Sequence, residues 1–404
     1  MRHSRRSLTN QMLLMFSAEN SIGLMRVALF IPYCVIPAII YLYFIDQVQY
    51  LQLTIYALVA IVFITIGYKW RILDKRMRNG AKRLTISRRA YTAAIFSVFV
   101  MFAFVTVLTA PSVPLISALA GADAEVLSDE RGSFLKGREG AWVALAYLSS
   151  ILTSTFVPVA VVASYASKHK LRHVFLIVAM LYMLIFMVKA LFLNIVLPLV
   201  AWGIERGSIR ARQLVVIALV AVVALMTMIS LSGYGDLEGS GYSSFVDYLT
   251  AAYVPGSTFD FFIYRSLAIP IFSVADTLYV HQAELGGSPL LGATSSLISG
   301  VFGMERVNIE RMVFAYQYGG WNDFGNSNVV FIADAYVNFG IAGVAAYGLI
   351  IGLSLRLFRN SDDPALRSMA PLYVFLLYSS PLIGMMFSNG FLLLFLQALF
   401  VRVR

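Results

Sequence analysis

Hydrophobic runs alternate with clusters of lysine and arginine along this chain, and a basic cluster follows every second run. A helix that crosses a membrane needs about 20 apolar residues, and basic residues concentrate in the cytoplasmic loops of membrane proteins. Of the 31 basic residues, 24 lie in the N-terminal segment, at Arg26 and in the clusters 69–89, 167–173, 205–212, 356–367 and 402–404. The pattern predicts an all-α polytopic membrane protein with these clusters in the cytoplasm.

The hydrophobic runs predict about ten transmembrane helices and allow up to twelve. An even number returns both termini to the cytoplasm. With 59% hydrophobic and 13% charged residues, the composition excludes an ordinary soluble domain, and the basic excess fits anionic lipid rather than nucleic acid. The predicted spans are 24–45, 50–68, 91–110, 141–166, 173–188, 190–204, 213–232, 329–355, 370–387 and 390–402.

Two long segments face the other side in this topology, 111–140 and 233–328, and both belong to a single transmembrane domain, 1–404. Unstructured loops of this length are uncommon in compact proteins. Within the second, 259–280 and 289–303 are apolar enough for amphipathic or re-entrant helices. As an alternative, the two could be a pair of additional spans.

The outer face is acidic, with 16 of the 21 acidic residues, yet it retains cations whose presence suggests a function. Arg131 and Arg138 would share a face if their segment is helical. Arg306 and Arg311, five residues apart, would not. Lys189 lies between two short spans, where a charge is costly. The outer cations are Arg131, Lys136, Arg138, Lys189, Arg265, Arg306 and Arg311.

A loop rich in glycine, asparagine and aromatic residues leads into the helix at 329–355. Trp321 offers a flat surface, and Asn322 and Asn326 offer amide groups, a combination that suits a sugar. The alternative interpretation is an aromatic belt at the membrane surface.

Three segments carry a resemblance to the Wzy-type O-antigen polymerases, which join oligosaccharide repeat units. These are the loop and helix at 316–353, DERGSFLKGREG at 129–140 and YRSLAIP at 264–270. The resemblance implies a GT-C-type membrane glycosyltransferase at the periplasmic face of the bacterial inner membrane. Its substrates would be repeat units of O-antigen or a related polysaccharide on undecaprenyl diphosphate. The resemblance implies neither a cofactor nor a metal. It implies partners such as a chain-length regulator and a flippase, and no binding of nucleic acid.

Under this resemblance the outer cations become candidates for the lipid diphosphate, because guanidinium binds phosphate oxygens bidentately. Arg265 is the first choice for stabilising the leaving group, although it could be an interfacial anchor. His281 and Asp334 are candidate bases for the acceptor hydroxyl. Asp276 is a competitor that could instead pair with Arg265. The expected substrate-binding residues are Arg131, Arg138, Lys189, Arg306, Arg311, Trp321, Asn322 and Asn326.

Two other functions remain open. An O-antigen ligase would use the same donor with a different acceptor. A flippase or transporter of lipid-linked oligosaccharide would carry ionisable groups within its spans. Asp123 and Glu125 form a lone D-x-E, a weak indication of a metal site.

Overall fold

The computed structural model describes residues 16–72, 74, 83–135, 137–185, 191–231, 246–319 and 325–404. This part of the chain is almost entirely helical. Two three-residue strands, β1 (Leu84–Ile86) and β2 (Val401–Val403), pair in parallel. In chain order the helices are α1 (Ala18–Tyr43), α2 (Val48–Lys69), α3 (Arg88–Leu108), α4 (Pro114–Leu119), α5 (Ala124–Leu135), α6 (Gly140–Ala166), α7 (Arg172–Ile185), α8 (Leu193–Glu205), α9 (Ala211–Ile229), α10 (Thr258–Ala283), α11 (Ser296–Phe302), α12 (Ile309–Tyr318), α13 (Phe331–Asn360), α14 (Pro364–Leu377), α15 (Leu382–Phe387) and α16 (Phe391–Phe400).

Seven of the described helices are long and apolar enough to cross a membrane, namely α1, α2, α3, α6, α9, α10 and α13. The protein is therefore a polytopic helical membrane protein, as predicted. Six of the seven coincide with predicted spans. The other four predicted spans correspond to the shorter apolar helices α7, α8, α14 and α16. One of them, 370–387, is divided where Pro381 precedes α15.

The seventh long helix, α10, was predicted to be interfacial or re-entrant, or else one of two extra spans. It is one continuous helix that is mostly buried in the protein. Pro270 cannot donate to the carbonyl of Ser266, and the hydroxyl of Tyr378 donates to it instead at 3.0 Å. A π-helical turn, Tyr264–Ala268, lies at this point. The proposed partner span at 289–303 is wrong, because only α11 is helical there.

Helices α2 and α13 run in the same direction and make the closest helix contact. Gly348 lies against the backbone of Ala60, and Gly352 lies against that of Ile64. A Cβ atom on Gly352 would lie 2.2 Å from the carbonyl oxygen of Ile64. Small residues let membrane helices approach this closely, so the glycines of α13 set the distance between the two helices.

Helix α13 is broken at Gly340, where the backbone has φ 62° and ψ −157°. Glycine adopts this conformation without a steric penalty. The break frees carbonyls at the end of the first segment, and buried carbonyls need donors. The amides of Leu290 and Leu291 donate to the carbonyls of Val337 and Asn338 at 3.0 and 2.9 Å. The chain between α10 and α11 is thereby fixed to the break.

Ion pairs consolidate the end of the molecule that carries the basic clusters. Arg356 pairs with Asp74, and Arg367 Nε lies 3.3 Å from Glu205 Oε2. Nearby, β2 pairs with β1 just before α3 begins. Residues that are distant in sequence but share one predicted membrane side therefore meet in space.

Candidate functional site

A polar pocket of about 160 Å³ lies beside the first segment of α13. Its walls come from the start of α11, the approach to α12, the first turn of α13 and the helix α15. Because one side is a broken helix, polar backbone and side-chain groups meet here beside otherwise apolar helices. The polar side chains that line it are Thr294, Ser295, Ser296, Arg306, Asn308, Glu310, Asp334 and Ser388.

Asp334 is the most buried carboxylate of the pocket, with 3% of its surface exposed. Its Oδ1 atom accepts hydrogen bonds from Thr294 Oγ1 at 3.0 Å and from Asn338 Nδ2 at 2.9 Å. Its Oδ2 atom is buried and has no hydrogen-bond partner in the described ranges. Asp334 does not cap α13, and it pairs with no arginine that the structure describes, so its second oxygen keeps an unused acceptor position.

Asn338 fixes the orientation of this carboxylate. Its amide nitrogen also donates to the Asp334 carbonyl and to Thr294 Oγ1, at 2.8 and 2.7 Å. Its Oδ1 atom accepts from the amide of Gly292 at 3.0 Å. Asp334 and Asn338 are four residues apart and share a helical face, a pairing that is visible in the sequence. The contribution of Thr294, 40 residues away, is not.

Arg306 lines the same pocket, and its side chain is exposed. Arg306 precedes α12. The single helix that the sequence suggested for Arg306 and Arg311 is therefore not formed. Arg311 is in the first turn of α12, where Nη1 donates to the carbonyl of Gly325 at 3.1 Å and the guanidinium lies 5.5 Å from the ring of Phe314. Arg306 thus lines the pocket, whereas Arg311 holds the backbone at Gly325.

Arg265 lies on the π-helical turn of α10 with its side chain exposed. It forms no ion pair with any residue that the structure describes. The predicted pairing with Asp276 is absent, and Asp276 Oδ2 accepts from Gln317 Nε2 at 2.6 Å. A π-turn adds a residue to the helical turn, so a spacing of eleven no longer brings the two side chains to one face.

A short segment after α14 links Arg265 to the pocket. Tyr378 binds the carbonyl of Ser266, the residue next to Arg265. Two residues further on, the carbonyl of Ser380 accepts from the amide of Phe331, the first residue of α13. The exposed arginine and the Asp334 turn are therefore held by the same connection.

His281 is buried at the end of α10 and does not line the pocket. Its Nε2 atom lies 2.9 Å from the carbonyl oxygen of Ser288, and its ring packs edge-on against Tyr336. These contacts hold the turn that leads to Leu290. Of the three residues predicted to be catalytic, only Asp334 faces the pocket.

The other arginines predicted to bind substrate contact backbone carbonyls in the segment 111–140 and at the end of α3. Arg131 donates to the carbonyl of Leu127 at 2.9 Å. Arg138 donates to the carbonyls of Phe134 and Thr106 at 2.8 and 2.9 Å. Burial lowers the pKa of Arg138. Helix α5 ends before Arg138, so the shared helical face is not formed.

Several predicted residues are not described or lie away from the pocket. Lys189, Trp321 and Asn322 fall outside the described residues. Asn326 is exposed, next to Ser327, whose hydroxyl contacts Gln317. Asp123 is exposed in the first outer segment, and the side chain of Glu125 is not described. Over the described ranges no three His, Cys, Asp or Glu side chains come together as metal ligands.

No protein-family model, curated protein or solved structure matches this chain. The fold and the site define a class, a polytopic helical membrane protein with a broken helix and a polar pocket beside the break. Any more specific assignment depends on the chemistry that this pocket supports.

Proposed function

We propose that this protein is a metal-independent membrane glycosyltransferase that polymerises undecaprenyl-diphosphate-linked repeat units. The sequence resemblance at 129–140, 264–270 and 316–353 supports the assignment, and so do the two long segments predicted on the outer face. The observation that carries it is the buried Asp334 carboxylate, which has one free oxygen in a pocket also lined by Arg306. In this proposal the architecture is of the GT-C type and the pocket faces the periplasm.

The reaction needs a base for the acceptor and a cation for the leaving group. The acceptor hydroxyl attacks the anomeric carbon of the donor sugar, the bond between that carbon and the diphosphate oxygen breaks, and the hydroxyl proton moves to the base. Asp334 suits the base, because Thr294 and Asn338 fix Oδ1 while Oδ2 remains available. A positioned base of this kind contributes about 10²–10⁴-fold to a rate.

The departing lipid diphosphate takes the electron pair and carries the negative charge. Arg306 in the pocket and Arg265 on α10 are the exposed guanidinium groups on elements joined to the Asp334 turn. Guanidinium stabilises phosphate oxygens through paired hydrogen bonds. Arg265 lies on an apolar, membrane-length helix, where a lipid headgroup can reach it, and it therefore suits the carrier diphosphate.

Asp334→Asn tests the base, because the amide oxygen can keep the hydrogen bonds of Oδ1 but cannot take a proton. The assay uses purified protein in vesicles with lipid-linked repeat units isolated from the producing strain, and the products are resolved as a ladder by size. The wild type should form polymer, and Asp334→Asn should be slower by about 10²–10⁴-fold. Asp123→Asn, in the first outer segment, is the matched control. Wild-type rates in Asp334→Asn would remove the proposed base.

A transporter of lipid-linked oligosaccharide is the second candidate, and the break in α13 favours it. Transporters often bind their substrate at discontinuous helices, and Asp334 is an acid within a membrane-length helix. The vesicle assay separates the functions. Repeat units that cross the bilayer without being joined would indicate a transporter. Glycan transferred only to added lipid A-core would indicate a ligase.

A further inference from the structure

Two tyrosine rings form an exposed aromatic surface where the end of α10 meets α12. Tyr279 is 44% exposed and Tyr316 is 50% exposed. Their ring centroids are 5.3 Å apart and their planes are inclined by 37°. The rings therefore form a shallow angled surface and are not buried in a hydrophobic core. Half-exposed aromatic pairs on a membrane protein are either interfacial anchors or ligand platforms.

Hydrogen-bonding groups lie directly beside these rings. Gln317, next to Tyr316, donates from Nε2 to Asp276 Oδ2 at 2.6 Å and to Ser273 Oγ at 3.3 Å. Burial and the nearby Asp276 raise the pKa of Tyr316, so this side chain carries no charge at neutral pH. Flat apolar faces beside a few oriented polar groups are the usual composition of a site for a small polar ligand. An interfacial anchor needs no such network.

The aromatic surface is also connected to the polar pocket. Glu310, which lines the pocket, and Tyr316 are both on α12, six residues apart, which is about 9 Å along the axis. Ser327 bridges Glu310 and Gln317, the residue after Tyr316, because its amide donates to the carbonyl of Glu310 and its hydroxyl donates to Gln317. Two residues later, Val329 lines the pocket. Tyr316 of the aromatic surface and one wall of the pocket are therefore parts of the same helix, α12.

We propose that Tyr279 and Tyr316 form a carbohydrate subsite that holds the glycan outside the pocket by stacking against its sugar rings. This inference rests on the proposed function for its ligand class. It adds that the protein contacts sugars beyond the reacting one. Loss of the subsite weakens the hold on a long glycan and shortens the polymer, whereas the first transfer between two single units keeps its rate.

The test compares three double variants at this surface. Tyr279→Ala with Tyr316→Ala removes both rings. The leucine pair keeps apolar bulk without a flat face, and the phenylalanine pair keeps the faces without the hydroxyls. Tyr43→Ala is the matched control, because Tyr43 is 77% exposed at the end of α1. Unfolding temperatures confirm that each variant is folded, and the leucine pair replaces the alanine pair if the latter does not fold.

The probe is the oligosaccharide of one or several repeat units, freed from its lipid carrier by mild acid, with binding measured by calorimetry. We expect the alanine and leucine pairs to bind the multi-unit oligosaccharide roughly tenfold more weakly, the scale of about one aromatic stacking contact. The phenylalanine pair and Tyr43→Ala should bind as the wild type does. In the vesicle assay the alanine and leucine pairs should give shorter polymer at an unchanged initial rate.

The outcomes separate this inference from the proposed function. Equal oligosaccharide affinity in the wild type and the leucine pair overturns the subsite. An equal loss of oligosaccharide affinity in Tyr43→Ala also overturns it, because the rings would then be interfacial anchors. A wild type that binds no oligosaccharide overturns it as well. A wild type that binds through these rings but forms no polymer would instead overturn the polymerase and leave the carbohydrate subsite standing.

Discussion

The contact between α2 and α13 gives a prediction whose size follows from the structure. In Gly352→Ala, the new methyl group would lie 2.2 Å from the carbonyl oxygen of Ile64 and 2.6 Å from the amide nitrogen of Tyr68. Both atoms are backbone, so no side-chain rotation relieves the clash. An ordinary contact begins near 3.4 Å, so the two helices must separate locally by more than 1 Å. A gap of this size forfeits a large part of the dispersion energy between the facing atoms.

Overpacking of this kind costs about 1–3 kcal/mol of unfolding free energy. Alanine is also a better helix former than glycine by about 1 kcal/mol, which offsets part of the cost. Gly23→Ala on α1 is the control for helix propensity without overpacking, because nothing lies within 4 Å of a Cβ atom there. Both variants gain the same helix propensity, so Gly352→Ala should be less stable than Gly23→Ala by about 1–3 kcal/mol.

The free energies can be measured by titrating the protein in mixed micelles with a denaturing detergent and following circular dichroism. The comparison uses the two variants in the same micelles, so the reference state is shared. Equal midpoints for Gly352→Ala and Gly23→Ala would show that the helices tolerate the methyl group. The glycines of α13 would then not set the spacing of this helix pair.

Two further predictions concern the proposed diphosphate site and the orientation. Arg265→Lys keeps the charge but loses the bidentate geometry, so it should slow transfer by nearly as much as Arg265→Ala, about 10²–10³-fold. The control Arg212→Lys, at the basic end of α9, should not slow transfer. Normal polymer from Arg265→Ala would leave Arg265 as an interfacial anchor. A membrane-impermeant thiol reagent applied outside cells should label Asn326→Cys but neither Lys170→Cys nor Ser208→Cys. The wild type, whose Cys34 is buried, gives the background labelling. Labelling at position 170 would reverse the orientation.

The parts of the fold that follow from local sequence could be predicted. The hydrophobic runs at 50–68 and 91–110 are close to α2 and α3, because a long apolar run has few alternatives to a membrane-length helix. Helix α10 was harder, since Arg265, Pro270 and Asp276 lower its hydropathy and resemble an interfacial segment. The carbonyl left without a donor by Pro270 is satisfied by the hydroxyl of Tyr378, more than 100 residues away. No local pattern contains that contact.

The candidate site, like the fold, has parts that follow from local sequence and parts that depend on distant contacts. Asp334 was one of three candidate bases, with His281 and Asp276, and it lies near the start of an otherwise apolar helix. The sequence could not separate it from His281, because the difference lies in which side chain faces the pocket. The break at Gly340 also escaped prediction, since a glycine is common in membrane helices and only its backbone conformation makes it a break. Arg306 could not be distinguished from Arg311 until the start of α12 was known.

The break in α13 gives this helix two separate tasks. From Gly340 onward it packs against α2 through Gly348 and Gly352, and this contact leaves no room for a ligand. Before Gly340 the chain leaves that register, so Asp334 faces a polar pocket. Tyr336 of this first segment still stacks on Tyr56 of α2, with ring centroids 4.2 Å apart, while Asp334 contacts Thr294 in the chain after α10. The freed carbonyls bind Leu290 and Leu291 and thereby bring Thr294 to the carboxylate. One glycine conformation therefore changes the register of α13 and frees the carbonyls that hold the site together.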